Sequence, residues 1–202
     1  MISGIEQAAG RAVPRETLER LEQYVSILQA AAPSQNLIAS STVADVWQRH
    51  IADSAQLLRF EPRLGASWVD VGSGAGLPGI VLACFSGGPV TLVEPRRLRA
   101  DFLRQVVREL GLEAKVEQTR IERLSGTFDV ITGRAVAPLP RFLSMCDHLS
   151  TRNTVWVLPK GRGAQSELAE ARQSWQGLFH VKRSVTDEGS SIIVATGVRA
   201  KQ

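Results

Sequence analysis

No apolar run in the chain reaches the roughly 18 residues that a membrane-spanning helix needs, so no membrane partner is expected. Met1 to Arg11 lack the apolar core of an export signal, which points to a cytoplasmic protein. Cysteine is scarce. Cys84 and Cys146 stand far apart in no ligand-like spacing, and His50, His148 and His180 are scattered. That set predicts no zinc or other metal site, and two thiols packed in the core of a protein from a reducing compartment. Internal repeats and low-complexity segments are missing. Lysine is rare too: of 24 basic residues only Lys115, Lys160, Lys182 and Lys201 are lysines. Arginine suits bidentate phosphate contacts and salt bridges alike, so a net charge of +4 permits an anionic partner without requiring one.

What is present fits one domain with a small extension, since 202 residues bury a full core without covalent staples. The first 62 residues read as helices. Pro14 to Ala32 places Leu18, Leu21, Val25 and Leu28 on one face, and Pro33 is expected to stop that helix. Thr42, with Asp45 three residues on, is expected to cap a second helix that runs to about Leu58 and carries Arg49, His50 and Asp53. From residue 63 the pattern alternates. Strands are predicted at 67–71, 90–94, 114–119, 128–132 and 154–158. Helices are predicted near 78–85, from Arg96 to Leu110 with Leu98, Phe102, Val106 and Leu110 as the seam, from Pro138 to Leu149, and from Ala164 to Gln176. Two late runs, 178–186 and 190–197, flank Asp187-Glu188-Gly189 at hairpin spacing, so the last strands should be antiparallel. The pattern implies an α/β fold, a mainly parallel sheet with helices on both faces. The N-terminal helices (1–62) are expected as a cap on one compact unit (63–202).

The richest stretch is Trp68 to Gly79. A buried strand runs into a glycine loop and then into a helix. Glycine lets the backbone turn sharply and lets a ligand approach it closely. The helix start behind the loop offers free N–H groups. Glu94, at the tip of the next apolar run, completes a layout suited to a nucleoside cofactor. The loop fits two frames. Gly74-Ala-Gly-Leu-Pro-Gly79 matches the dinucleotide fingerprint, which alone is a weak signal. Gly72-Ser-Gly-Ala-Gly76, preceded by Asp70, matches the loop of S-adenosylmethionine-dependent methyltransferases. Asp70 is expected near the cationic end of that cofactor, where it would repel a pyrophosphate. The chain also has no room for the separate substrate domain of many nicotinamide enzymes.

The chain closely resembles the ribosomal RNA small subunit methyltransferase G family, also called glucose-inhibited division protein B, from about Leu21 to Thr196. The resemblance rests on Asn36-Leu37, Arg49-His-Ile-Ala-Asp-Ser54, Asp70-Val-Gly-Ser-Gly-Ala-Gly-Leu-Pro-Gly79, Phe102-Leu103, Arg134-Ala-Val-Ala137 and Lys160-Gly161. It implies a seven-stranded class I, Rossmann-like sheet. It also implies methyl transfer from S-adenosyl-L-methionine to N7 of one guanine in 16S ribosomal RNA or the small subunit, by a monomer. By the resemblance, Gly72, Gly74 and Leu77 meet the cofactor from the first loop, and Glu94 takes its ribose hydroxyls. Ile121 and Glu122 border its adenine, and Arg134 holds the methionine carboxylate or the target base. Ile38 and Leu98 depart from the family pattern. Arg49, His50 and Asp53 are candidates for shaping the mouth of the site. A structural pairing of His50 with Asp53 is the plainer reading. Lys160, Arg162, Arg96, Arg97 and Arg99 are candidate phosphate contacts, though each is also an ordinary surface charge. No catalytic residue is expected, because guanine N7 carries a lone pair and no proton. The competing functions are methylation of a small molecule, a nicotinamide-dependent oxidoreductase, and an RNA-binding module with a vestigial pocket.

Overall fold

A computed structural model describes residues 2–35 and 37–201, without the side chains of residues 32–34 and 40. Asn36, the first half of the Asn36-Leu37 motif, lies outside the described residues. Seven strands form one sheet in the order β3-β2-β1-β4-β5-β7-β6. They are β1 (Trp68–Val71), β2 (Val90–Val93), β3 (Ala114–Glu117), β4 (Val130–Thr132), β5 (Val155–Lys160), β6 (Trp175–Arg183) and β7 (Ser191–Ala200). The first five run parallel, and β7 is antiparallel to both β5 and β6. Strand order reverses between β2 and β4, on either side of β1, and the crevice at such a switch point is where open α/β sheets bind ligands. The central strands β1 and β4 are buried throughout, Asp70 and Thr132 included, as strands of a sheet covered on both faces are.

Seven α-helices accompany the sheet among the described residues: α1 (Ile2–Ala9), α2 (Arg15–Gln35), α3 (Asp53–Ala55), α4 (Gly79–Phe85), α5 (Arg97–Glu109), α6 (Leu139–Cys146) and α7 (Ala164–Ser174). The core has two halves. In one, Leu21, Tyr24 and Leu28 of α2 pack with Leu82 of α4, with Leu103 and Val106 of α5, and with Trp68. In the other, Phe142 and Leu143 of α6 and Leu168 of α7 pack with Val69, Val71 and Trp156. Trp68 and Val69 fall in different halves because neighbouring strand residues point to opposite faces. Both cysteines are free and buried.

Four local expectations need correction. The helix predicted to stop at Pro33 continues to Gln35, because a proline in the last turn forfeits only one backbone bond. Thr42 caps no helix. It closes a short 3-10 turn by donating to the Ala39 carbonyl, and its hydroxyl also meets His50 Nε2 at 2.8 Å. The next helical run starts at Trp47 as a π-helix (Trp47–Ala52), passes through α3, and ends as a 3-10 turn, Gln56–Phe60. In α5 the buried seam is Ala100, Phe102, Leu103 and Val106, while Leu98 is 64% exposed. Leu98 sits in the first turn, next to the exposed Arg97 and one turn before the buried Phe102.

Candidate functional site: a slot and a larger cleft that meet at Val136

The glycine loop is shaped by local geometry. Gly72, Gly74 and Gly76 adopt φ of +68°, +57° and +95°, which side chains of the L form rarely adopt. A Cβ on Gly72 would press on Val136 Cγ2 at 3.0 Å, and one on Gly76 would strike Ile80 Cγ1 at 2.5 Å. Two acids hold the loop from beneath. Glu94, 3% exposed, accepts from the backbone N–H of Gly74 (3.0 Å) through one oxygen and from that of Arg96 (2.9 Å) through the other. Asp70, fully buried, accepts from the Gly79 N–H at 3.0 Å. Burial is the main cause that pushes the Asp70 carboxyl up to about 7, against the lowering by hydrogen bonds from Ser73 and Gly79 and by the Arg134 charge. The expectation that Asp70 faces a cationic ligand is therefore wrong. Its strand position turns it inward, under the start of α4, where it satisfies a free helix-end N–H.

Two clefts open at the carboxyl edge of the parallel strands. The first, about 280 Å³, is a slot lined by Val71, Gly72, Pro95, Ile121, Glu122 and Val136, with Arg120, Arg141 and Met145 at its border. The second, about 530 Å³, is lined by Asp53, Gln56, the loop Arg134–Pro138, Lys160, Glu167 and the β6–β7 turn. Val136 is the residue common to both linings. It follows Ala135, whose φ of +57° is unusual for a residue with a Cβ and turns the loop over Gly72.

The sequence-predicted residues divide between these places. Gly72, Ile121 and Glu122 line the slot. Gly74 lies beside it, with the Arg99 guanidinium 3.7 Å from where its Cβ would stand. Glu94 lies below, shielded by its own backbone partners. Leu77 packs its side chain into the core, 5% exposed. Arg134 lines the larger cleft and meets Asp53 Oδ2 at 3.3 Å. Lys160 is tied to Glu167 Oε2 at 2.8 Å and donates to the Ala137 carbonyl at 3.2 Å, so it is a wall of the cleft rather than a free surface charge. Arg96, Arg97 and Arg162 are exposed.

His50 and Asp53 do not pair with each other. The intervening π turn carries Asp53 toward Thr186 Oγ1 and Gln56 Nε2, both at 2.8 Å, while His50 turns to Thr42. Burial, then the nearby Arg134 charge, lowers the His50 imidazole to about 4. Gln56, Thr186 and Ser190 went unmarked in the sequence, and so did Arg141 and Met145. Polar residues on a turn and single helix positions carry no local sign of a shared cleft.

The slot fits a nucleoside: it is floored by a glycine, walled by Ile121 and Val136, and bordered by one acid, Glu122, and two arginines, Arg120 and Arg141. A seven-stranded sheet with an antiparallel β7, a glycine loop after β1 and an acid after β2 defines a class I methyltransferase fold. Solved structures agree at the level of fold. A S-adenosylmethionine-dependent methyltransferase from Aquifex aeolicus superposes with a TM-score of 0.61 at 14% identity, over 76% of this chain and 93% of that one. The magnesium protoporphyrin IX methyltransferase of Synechocystis, solved with the methyl donor bound, gives 0.60 at 16% identity, over 86% and 96%. The chain belongs to the rRNA small subunit methyltransferase G family, whose model matches residues 17–191. Ribosomal RNA small subunit methyltransferase G of Sphingopyxis alaskensis is 48% identical over 185 residues, 90% of this chain and 79% of that one. That of Erythrobacter litoralis is 45% identical over 207 residues, covering all of both chains.

Proposed function

We propose that this chain transfers a methyl group from S-adenosyl-L-methionine to N7 of a guanine in 16S ribosomal RNA. The observation that carries the reading is the meeting of a nucleoside-shaped slot and a larger polar cleft at one side chain, Val136. Family membership supports the reaction and its ribosomal RNA substrate. The bound cofactor supplies an electrophilic methyl on a sulfonium. Gly72 and Gly74 let the backbone pass close to it, Ile121 and Glu122 border the adenine, and Leu77 shapes the loop from inside the core. Glu94 lies outside the slot's lining with each oxygen holding a backbone N–H, so it takes a ribose hydroxyl through a remaining lone pair only when the donor displaces the loop at Gly74. Arg134 stands on the acceptor side, as a partner for the base rather than for the slot.

Guanine N7 presents an in-plane lone pair and no proton, so no residue acts as general base. The work of the protein is to hold nucleophile and methyl in line and to exclude water, an alignment worth roughly 7–11 kcal/mol. The chain is expected to work as a cytoplasmic monomer, with residues 1–62 as a helical cap and 63–202 as the methyltransferase unit. The test is incubation with labelled methyl donor and unmethylated small-subunit RNA or particles, then mapping of the label. Label on one guanine, lost when that guanine is replaced by 7-deazaguanine, is the expected result. Label on small-molecule acceptors alone, or NAD filling the slot in a crystal, would overturn the reading.

A further inference from the structure

The larger cleft carries two carboxylates, Asp53 and Glu167, against two cations, Arg134 and Lys160, among apolar walls that include Val136, Pro138 and Ile192. Its formal charge is balanced. A phosphate needs a net positive site, whereas a flat neutral heterocycle with donors and acceptors on its edge suits this one.

The two carboxylates differ in what they already do. One oxygen of Glu167 accepts from the Leu139 backbone N–H and from Lys160, both at 2.8 Å, which ties the start of α6 to β5. Asp53 is held by side chains only. Its Oδ1 accepts from Thr186 and Gln56 at 2.8 Å, and its Oδ2 meets Arg134 at 3.3 Å, long for a charge-assisted bond. Gln56, 2% exposed, is in turn fixed by Ser184 and the Val185 N–H. The result is a rigidly oriented carboxylate with one oxygen underused and lining the cleft.

We infer that Asp53 is the residue that selects guanine, its Oδ2 accepting from both the N1–H and the 2-amino group beside Arg134, which donates to O6. This rests on the reaction proposed above. Adenine presents an N1 lone pair at the same place, which a carboxylate repels. As N7 takes the methyl, positive charge spreads over the purine and the N1–H becomes a stronger donor. The bond to Asp53 therefore tightens in the transition state and contributes to kcat. No proton is transferred.

The test pairs enzyme and substrate changes in the full chain. The mapped guanosine of small-subunit RNA is replaced by inosine, which lacks the 2-amino group. Wild type should lose about tenfold in kcat/KM on inosine. Asp53→Asn should lose about a hundredfold in kcat on guanosine, with the KM for methyl donor unchanged, and less than about twofold more on inosine, because inosine lacks one of the two donors whose acceptor the substitution has already weakened. Independent multiplication of the two losses, wild-type kcat in Asp53→Asn, or a wild type indifferent to inosine would overturn the assignment. Thr186→Val keeps the carboxylate and loosens its tether, so it decides the matter if Asp53→Asn does not fold. It should lose about fivefold in kcat with a smaller inosine penalty, and undiminished values in both would overturn the assignment. Methylation of RNA carrying 7-deazaguanosine at that position would instead overturn the reaction itself, and Asp53's role with it.

Discussion

The Tyr24 hydroxyl donates to the Ala75 carbonyl at 2.8 Å from a fully buried position, so the only tyrosine of the chain joins α2 to the middle of the glycine loop. Burial holds that phenol protonated by raising its pKa, so it remains a donor at all ordinary pH values. Tyr24→Phe leaves the ring packing and removes the bond. It should cost about 1–2 kcal/mol in urea unfolding and weaken methyl-donor binding several-fold by calorimetry. Native donor affinity in that variant would show that the loop holds its shape without α2.

The loop glycines should separate into two kinds. A Cβ on Gly79 would meet Leu92 Cδ2 at 2.2 Å and Asp70 Oδ2 at 2.5 Å. Gly79→Ala should therefore cost about 3 kcal/mol of stability, by overpacking against a strand that has no room to move. Gly74 has nothing nearer than 3.7 Å, and its φ of +57° is the only obstacle. Gly74→Ala should cost about 1 kcal/mol, with its larger effect on donor binding. Urea midpoints beside calorimetric affinities distinguish the two.

Asp70 sets a pH dependence of stability. In the unfolded chain it loses its proton near its ordinary value of 3.8, whereas in the fold it keeps it to about 7. The folded state binds more protons between those values, so this group lowers stability as pH rises from about 4 to about 7. His50 acts with the opposite slope. It ionises near 6.5 unfolded and near 4 folded, so its stabilisation is lost as pH falls from 6.5 to 4. Asp70→Asn should gain on wild type by roughly 3–4 kcal/mol between pH 4 and pH 8. A constant offset between the two urea-unfolding series across that range would contradict the burial argument.

Leu98 stands exposed at the start of α5 between Arg97 and Arg99, whose guanidinium lies beside Gly74. Leu98→Lys should change stability by less than about 0.5 kcal/mol. If that face meets the RNA backbone, the added charge should lower the KM for RNA and steepen its salt dependence by about one unit in the log–log slope. An unchanged slope would place the RNA elsewhere.

The strands, their order of appearance and the closing hairpin were legible because apolar runs and turn residues are local signals. The glycine loop was legible for the same reason: a tight turn needs particular residues in sequence. The misreadings have a common origin. Thr42 and Asp45 carry a helix-start pattern, but the Thr42 hydroxyl is drawn to Ala39 and His50 instead. Leu98 has helical spacing, yet its side chain stays exposed while Phe102 and Val106 are buried. Asp70 reads as a ligand-facing acid until strand alternation turns it inward to Gly79.

Read as a string, the chain was enough to establish an α/β sheet, a glycine loop after its first strand, and kinship with a methyltransferase family. These depend on residues close together along the backbone, whose geometry neighbours dictate. The larger cleft needed the folded molecule. Asp53 finds its partner Thr186 across 133 residues, and Arg134 reaches it across 81. Such pairings follow from how the sheet closes and where the β6–β7 hairpin meets the helical run around Asp53, and no local pattern encodes them.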